Sequence, residues 1–282
     1  MDKIGKFQVL DTLGSGAHST ILHVRRDADS KEYALKLVNI GDEDDLKYLE
    51  QAKHEFRVGQ MLNHPNLVKV YAFETESGWF SGPKKAKLLI EYVPGQTMDT
   101  LPLQRMAKLL RVFERIADAL THMHKQGVIH ADLKPNNLIL GRGTNVKVLD
   151  YGLAWIKGEP KDRVQGTLEY MAPETGSHKV VNERTDMYNF GATLYRLVTL
   201  QLPAKAVAGP EELPIDEKSF RTAYKPVRKL NPLVPQGLGE LIDGCLSYNA
   251  NLRPERMSVI QGTLDQLADE AAARCNPADL ED

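Results

Sequence analysis

One short polar segment between two apolar runs constrains this chain more than any other feature. Residues 128–140 read VIHADLKPNNLIL, which places the carboxylate of Asp132, the amine of Lys134 and the amide of Asn137 in one stretch. The apolar runs on either side favour burial of the flanks. Pro135 and the two asparagines favour a turn or loop. The pattern therefore predicts a loop that presents a carboxylate, a cation and an amide together.

A turn with two glycines lies near the N-terminus. Residues 13–21 read LGSGAHSTI and stand between two strand-like runs. Glycine lets backbone amides approach a phosphate closely. An ordinary hairpin also uses glycines in its turn, so the motif is weak alone. Because a strand rather than a helix follows it, a dinucleotide-binding loop is not favoured.

A lysine follows in the next apolar run, where residues 33–38 read YALKLV. Lysines in strands usually face solvent at a sheet edge. Here Ala34, Lys36 and Val38 share one face of the predicted strand, which would point the lysine into a cleft. A cleft lysine needs an anion, and Glu55 on the following helical stretch is a candidate.

Three further motifs follow the polar loop in order. Residues 148–152 read VLDYG, Gly166 and Thr167 form a pair, and residues 170–174 read YMAPE. Together with the earlier motifs, this ordered set resembles the eukaryotic-like protein kinase family. The resemblance covers about residues 7–271, nearly the whole chain.

Local patterns agree with the α+β, two-lobed fold that the resemblance implies. Short β-rich runs come first, with one helical stretch that follows acidic residues 42–45 and ends near Leu62. Helical patterns then occur in four later stretches, which are residues 106–127, 185–200, 238–246 and 255–271. We expect an N-lobe at about 7–90, a hinge at about 91–95, a mostly helical C-lobe at about 96–271 and a disordered tail at 272–282.

The resemblance implies that ATP lies in the cleft between the lobes. The loop from Gly14 to Ser19 would cover the phosphates, Ile90 would be the gatekeeper, and Thr97 would contact the ribose. The implied ATP-binding residues are Leu13, Gly14, Ser15, Gly16, Ala17, His18, Ser19, Ile21, Ala34, Lys36, Ile90, Glu91, Val93, Thr97 and Ile139. Of these, Glu91 and Val93 would bind the adenine edge through their backbones.

The resemblance also assigns the chemistry, which is transfer of the γ-phosphoryl group of ATP to serine or threonine hydroxyls of protein substrates. Asp132 would be the catalytic base and Lys134 would neutralise the moving charge. Lys36, paired with Glu55, would hold the α- and β-phosphates. Asn137 and Asp150 would bind Mg²⁺, for which Mn²⁺ is an expected substitute.

One structural anchor and one structural ion pair are implied in the same way. Asp186 would hold the backbone of the catalytic loop, and Glu174 would pair with Arg253. The Gly166–Thr167 pair and Lys134 resemble the serine/threonine branch of the family rather than the tyrosine branch.

Several positions depart from the family pattern. Ser19 replaces a glycine, Ala131 replaces an arginine and Tyr151 replaces a phenylalanine. Gly59 stands one helical turn after Glu55, where the family places a side chain that stacks with residue 151. We expect the Tyr151 phenol to reach toward Gly59 and place its hydroxyl near a polar partner such as Glu55, with filling of the gap by Met61 or Leu62 as the alternative.

Composition narrows the possible partners. The net charge of −2 and the pI near 6.5 do not favour nucleic acid or an anionic membrane as a partner. No run of residues is long and apolar enough to span a bilayer, so any membrane tether would lie outside this chain. Two cysteines without metal-ligand spacing favour a reduced, cytoplasmic setting.

Two other functions stay open on the sequence alone. The first is a pseudokinase, which would bind ATP and act as a signalling scaffold. The second is a small-molecule kinase, although the helical region that contains Asp186 and the segment 170–174 are typical of protein kinases. The sequence does not predict an oligomeric state or a physiological substrate.

Overall fold

A computed structural model describes residues 2–16, 18–77, 83–160, 165–178, 180–207 and 215–274. The chain divides into two compact units. Unit 1 contains residues 1–94 together with 150–152, and unit 2 contains residues 95–149 and 153–282. Unit 1 is built on a β-sheet and unit 2 is mostly helical, which confirms the expected α+β class.

Unit 1 contains a six-stranded antiparallel sheet with the strand order β1-β2-β3-β4-β6-β5. The strands are β1 (Lys3–Ile4), β2 (Phe7–Ser15), β3 (Ser19–Arg26), β4 (Glu32–Asn39), β5 (Val70–Ser77) and β6 (Pro83–Glu91). Alternate residues of β3 and β6 are buried, as expected for a sheet with one covered face, whereas three consecutive residues of β4, Tyr33–Leu35, are buried. Phe7, Val24 and Leu35 belong to one buried cluster of this sheet. The β-rich runs that were predicted for this half of the chain are thus confirmed as strands.

The helix of unit 1, α1, runs from Leu46 to Met61. A 3₁₀ turn at Glu43–Asp45 precedes it, and the Asp42 side chain caps this turn by accepting a hydrogen bond from the Asp45 amide. Acidic residues at this end face the positive end of the helix dipole. The buried residues of α1 recur at helical spacing, and they are Leu49, Ala52, Glu55, Val58 and Gly59.

Gly59 brings α1 against β5 at a distance that no other residue allows. A Cβ atom at position 59 would lie 2.6 Å from Val70 Cγ2 and 2.7 Å from Val70 Cβ. The prediction of a gap beside Gly59 was therefore wrong, because Val70 occupies that space. Met61 lies on the exposed side of the helix and does not fill it.

Unit 2 contains seven α-helices and five short strands among the residues described. The helices are α2 (Met106–Lys125), α3 (Pro173–His178), α4 (Glu183–Thr199), α5 (Glu217–Ala223), α6 (Val227–Leu230), α7 (Gln236–Cys245) and α8 (Met257–Arg274). The strands are β7 (Gln96–Thr97), β8 (Val128–Ile129), β9 (Leu138–Leu140), β10 (Val146–Val148) and β11 (Trp155–Ile156). Sequence periodicity predicted α2, α4, α7 and α8. It did not predict α3, α5 and α6, which are too short to show a helical period.

Helix α4 lies in the core of unit 2, with most of its residues buried, and packs against α7. Helix α2 packs along α8, where Arg111 forms ion pairs with Asp265 and Asp269. Helix α8 continues to Arg274, so residues 272–274 are helical, while 275–282 lie outside the described residues. None of the described helices combines the length and apolarity needed to cross a bilayer.

The contact between Gly59 and Val70 gives a prediction about stability. Gly59→Ala should lower the free energy of unfolding. The clash of the added methyl group with Val70 should cost more free energy than the better helix propensity of alanine, about 1 kcal/mol, returns. Gly262 in α8 is the matched control, since a Cβ there has open space. Gly262→Ala should raise the free energy of unfolding by up to about 1 kcal/mol. Urea unfolding of both variants is the measurement, and stabilisation by both would show that Val70 does not confine position 59.

Candidate active site

Lys36 and Glu55 form a buried ion pair inside unit 1. Lys36 Nζ on β4 lies 2.7 Å from Glu55 Oε2 on α1. Glu55 is 2% exposed, whereas the Lys36 side chain keeps 16% of its surface exposed. The pairing that the resemblance implied is confirmed. Because a buried charge without a partner is costly, this pair also fixes the rotation of α1 against the sheet.

A third charge acts on this pair. Burial opposes the positive charge of Lys36, but the carboxylates of Glu55 and Asp150 outweigh it and raise the pKa of Lys36 above its usual range. Burial raises the pKa of Glu55, and the positive charge of Lys36 opposes this increase. Lys36 is therefore held protonated between two acidic groups, as a phosphate-binding lysine must be.

Residues 150–152 belong to unit 1 although the chain on both sides of them belongs to unit 2. Asp150 has a φ of +64°, and its Oδ1 accepts a hydrogen bond from the Gly152 amide at 3.0 Å. The positive φ and this short turn aim the carboxylate toward the Lys36 side of unit 1. Three predicted site residues, Lys36, Glu55 and Asp150, are thus brought together in unit 1.

Tyr151 anchors this short segment. Its ring is completely buried, and its hydroxyl donates a hydrogen bond to the Val68 carbonyl at 2.8 Å. The expected polar partner of the hydroxyl is confirmed, but it is the Val68 carbonyl rather than Glu55. The expectation that the phenol fills the space beside Gly59 was wrong, because Val70 occupies that space. Burial raises the pKa of Tyr151 well above its ordinary value, so the hydroxyl keeps its proton.

The glycine-bearing turn joins β2 to β3. Gly14 pairs with Ile21 and Ser15 pairs with Thr20 in the sheet, and the Gly16 amide donates to the Ser19 carbonyl at 2.8 Å. Leu13 at the start of this turn is exposed. Ala17 lies outside the described residues. The turn is therefore a tight hairpin end with backbone amides at its tip.

The sheet register places the remaining unit 1 candidates beside Lys36. Ile21 on β3 pairs with Lys36, and Ala34 pairs with Ile90 on β6. At the end of β6, the Glu91 amide donates to the Lys69 carbonyl at 2.8 Å, and Glu91 Oε2 accepts from the Lys69 amide at 3.0 Å. Val93 follows two residues later. Ile21, Ala34 and Ile90 therefore lie on three neighbouring strands in the middle of the sheet, and Glu91 ends β6.

In unit 2, Asp132 lies at the centre of a compact hydrogen-bonded cluster. Lys134 Nζ donates to Asp132 Oδ2 at 2.7 Å and to Thr167 Oγ1 at 2.6 Å. The Thr167 amide donates to Asp132 Oδ1 at 2.8 Å. Asn137 Nδ2 donates to the Asp132 carbonyl at 2.8 Å. The expected loop does bring Asp132, Lys134 and Asn137 together, and it joins them to Thr167.

Asp186 of α4 fixes the backbone of this loop. Its carboxylate accepts hydrogen bonds from the His130 amide at 2.9 Å and the Ala131 amide at 2.8 Å. His124 Nε2 lies 2.8 Å from the same carboxylate. Ala131 has a φ of +63°, which a non-glycine residue adopts only where its surroundings hold it. The implied anchoring role of Asp186 is confirmed.

The last two unit 2 candidates for nucleotide binding are neighbours. Thr97 on β7 pairs with Ile139 on β9. The Met98 amide donates to the Leu138 carbonyl at 2.9 Å and so continues this ladder. Gly95 lies just before β7 with a φ of +159°, and a Cβ there would lie 2.5 Å from the Leu140 carbonyl oxygen. Only glycine allows this close approach.

The implied pair of Glu174 and Arg253 is also confirmed. Arg253 Nη1 and Nη2 each donate to one oxygen of the Glu174 carboxylate at 2.8 Å. Arg253 is almost completely buried. This two-point pair ties the start of α3 to the segment before α8, which keeps residues 166–174 in place.

Sequence reasoning missed several contributors. His124 sits in the last turn of α2, where nothing in its spacing distinguishes it from a surface histidine. Thr167 was predicted as a mark of the serine/threonine branch, and its bonds to both Asp132 and Lys134 were not foreseen. Val68 acts through its backbone carbonyl, so its side chain carries no signal for that role.

Comparison with known proteins agrees with this geometry. The profile of the protein kinase domain family matches residues 7–264. The chain is 25% identical over 247 residues to the serine/threonine-protein kinase PrkC of Bacillus subtilis, which covers 84% of this chain. It is 29% identical over 256 residues to Aurora kinase B of Mus musculus, which covers 87% of this chain and 69% of that protein.

A third relative, the probable serine/threonine-protein kinase SCO3848 of Streptomyces coelicolor, is 30% identical over 210 residues and covers 71% of this chain. The chain spans only part of the bacterial relatives, with 37% of PrkC and 31% of SCO3848 included in the matches.

The hydrogen bond of Tyr151 predicts a measurable loss. Tyr151→Phe should lower the free energy of unfolding by about 1 kcal/mol, because the Val68 carbonyl would lose its buried donor. The half-exposed Tyr71 provides the control, and Tyr71→Phe should change stability by less than about 0.5 kcal/mol. Equal effects of the two substitutions in chemical denaturation would contradict the proposed anchor.

Proposed function

Because the chain belongs to the protein kinase family, we propose that it transfers the γ-phosphoryl group of ATP to serine or threonine hydroxyls of protein substrates. The cluster of Asp132, Lys134 and Thr167 carries this proposal. It holds a carboxylate in one orientation with a cation directly beside it. Phosphoryl transfer needs alignment and charge neutralisation more than covalent chemistry by the protein, and this cluster supplies both.

Asp132 would act on the acceptor. Its carboxylate accepts a hydrogen bond from the substrate hydroxyl and takes the proton as the new O–P bond forms. The bond between the γ-phosphorus and the bridging oxygen breaks at the same time, and ADP leaves with that electron pair. Lys134 would stabilise the negative charge on the moving phosphoryl group. Because Lys134 also bonds to Thr167, its ammonium is positioned before substrate arrives.

The residues that the family resemblance assigns to nucleotide binding belong in part to unit 1 and in part to unit 2. The turn at Gly14–Ser19 would donate backbone hydrogen bonds to phosphate oxygens. Lys36 would hold the α- and β-phosphates, and its raised pKa supports a permanent positive charge there. The adenine would contact Ile21, Ala34, Ile90, the backbones of Glu91 and Val93, and Ile139, while Thr97 would contact the ribose.

Asn137 and Asp150 fit a magnesium ion by their donor chemistry. Mg²⁺ is bound in proteins by one or two carboxylates together with substrate phosphates and water. The Asn137 nitrogen is engaged with the Asp132 carbonyl, so the amide oxygen is the ligand atom it presents. Asp150 supplies the carboxylate. Bound Mg²⁺ would neutralise phosphate charge, and Mn²⁺ would substitute for it.

The pseudokinase alternative is less well supported. Such a scaffold needs to bind ATP but does not need a positioned base. Here the Lys36–Glu55 pair is formed and Asp132 is held by three groups. A small-molecule kinase is also disfavoured, because the Glu174–Arg253 pair supports the segment that resembles the peptide-binding part of protein kinases.

The partners and location are likewise proposals. Protein substrates follow from the family, and the near-neutral charge does not favour nucleic acid. We favour a cytoplasmic setting with a signalling role. Burial raises the pKa of Cys245 to about 12, so this thiol is an inert core group rather than a redox site. Cys275 lies outside the described residues.

The assignment of Asp132 is tested by Asp132→Asn. Turnover should fall by at least about 100-fold, because a positioned acid–base group is lost. The affinity for Mg²⁺-ATP should stay within about twofold, since Asp132 acts on the acceptor. Asparagine keeps an oxygen for the Thr167 amide, so the loop should stay folded. Near-normal phosphorylation by this variant would contradict the assignment.

Two further variants separate roles in the same assay. Lys36→Met should lower both ATP affinity and turnover, because it removes a phosphate-binding cation. Asp265→Asn removes a carboxylate from the exposed surface of α8 and should leave both quantities unchanged. Steady-state kinetics with calorimetric measurement of ATP binding distinguishes these outcomes.

A further inference from the structure

The side chain of His18 ties the glycine-bearing turn to α1. Its ring stacks on the ring of Tyr48, with centroids 4.2 Å apart and planes 18° apart. Its Nδ1 lies 3.2 Å from Asp45 Oδ1. The His18 side chain therefore makes two contacts at the start of the helix, one with the Tyr48 ring and one with the Asp45 carboxylate.

The backbone of His18 makes a third connection. Its carbonyl accepts a hydrogen bond from the Asn39 amide at 3.0 Å, at the end of β4. Strand β4 carries Lys36, three residues before Asn39. The other oxygen of Asp45 accepts from the Gly41 amide at 2.8 Å, which joins the chain after β4 to the same acidic group. His18 is thus linked both to the strand that bears Lys36 and to the helix that bears Glu55.

We propose that His18, Tyr48 and Asp45 form a latch that positions the turn at Gly14–Ser19 for the ATP phosphates. In this role His18 is a positioning residue, because it acts through the backbone of the turn rather than on the reacting atoms. The latch rests on the proposed function, since it presupposes that this turn binds ATP. It sets the turn relative to Lys36, which would bind the same phosphates.

The physical reason lies in the cost of ordering the turn. Glycines give a phosphate-binding turn many conformations, and each binding event must restrict them. A contact that already holds the turn in place removes part of that cost and strengthens binding. Tyr48 lies in the first turn of α1 and Asp45 directly precedes the helix, so the two contacts tie the turn to the start of α1.

The alternative to the latch is that His18 makes an ordinary surface contact with no effect on ATP binding. The His18 side chain is 40% exposed, and exposed pairs often contribute little. Asp45 is more protected, at 15%. Coupling between the stacked rings distinguishes the two explanations, because a latch requires both rings and a surface contact does not influence ATP affinity.

A double-mutant cycle on Mg²⁺-ATP binding tests the latch. His18→Ala and Tyr48→Ala should each weaken ATP binding about 3- to 10-fold, the loss expected for one aromatic stack. The double variant should bind about as weakly as the weaker single variant, because the second substitution removes a contact that is already lost. If the fold-reduction in ATP affinity of the double variant equals the product of the two single reductions, the rings act independently and the latch is overturned. Unchanged affinity in His18→Ala would also overturn it.

Further variants separate positioning from general destabilisation. His18→Phe keeps a ring that can stack on Tyr48 and should recover affinity to within about threefold of wild type. His54→Ala, on the same helix, should leave ATP affinity unchanged. The KM for the protein substrate should stay constant in every variant, and the melting temperature should fall by no more than about 4 °C. A lower ATP affinity together with a higher KM for the protein substrate would indicate a general loosening of the fold and would overturn the positioning role.

The assay also separates the latch from the function on which it rests. A wild-type protein that phosphorylates substrate while His18→Ala binds ATP normally overturns the latch alone. A wild-type protein that does not bind Mg²⁺-ATP overturns the proposed function, and the latch with it.

Discussion

The carboxylate of Asp186 is the group on which the catalytic part of unit 2 depends. It has no exposed surface, and a buried charge must be met by hydrogen bonds or counter-charges. The His130 and Ala131 amides and the His124 ring meet it. These bonds hold Ala131 at a φ of +63° and so turn the chain sharply. The loop that follows has little freedom left.

Unit 1 follows the same principle with different groups. Lys36 and Glu55 satisfy each other in the interior, and Asp150 adds a second carboxylate to the Lys36 environment. The hydrogen bond from Tyr151 to Val68 keeps this aspartate in unit 1. In each unit, a group without solvent contact fixes a functional group that must later meet substrate. The ordering that phosphoryl transfer requires is therefore built in during folding.

The sequence predicted those parts of the site in which chemistry dictates the residue type. Asp132, Lys134 and Asn137 stand in one polar loop, and Lys36 in an apolar strand needs an anion, so their positions and the partner Glu55 followed. The sequence did not predict the contacts that depend on a backbone atom or on a packing distance. The Tyr151 hydroxyl bonds to a carbonyl, which any residue could supply. Gly59 was interpreted as a gap, whereas its missing side chain lets Val70 approach.

The same distinction explains the fold. Long helices and strands carry a repeated apolar pattern, so α2, α4 and α8 were predicted with bounds close to those observed. The one- and two-turn helices α5 and α6 lack such a pattern. The contacts of His18 with Tyr48 and Asp45 join residues whose approach depends on how a hairpin bends over a helix. Spacing along the chain does not encode that bend.

Phosphoamino-acid analysis is the most direct measurement of the central claim, which is that this chain is a catalytically competent serine/threonine kinase. The wild-type protein would be incubated with Mg²⁺, ATP labelled at the γ-phosphate, and generic acidic and basic proteins. The account predicts label in phosphoserine and phosphothreonine, with none when Mg²⁺ is chelated. ATP binding without transfer of label to protein, or label only in phosphotyrosine, would contradict it.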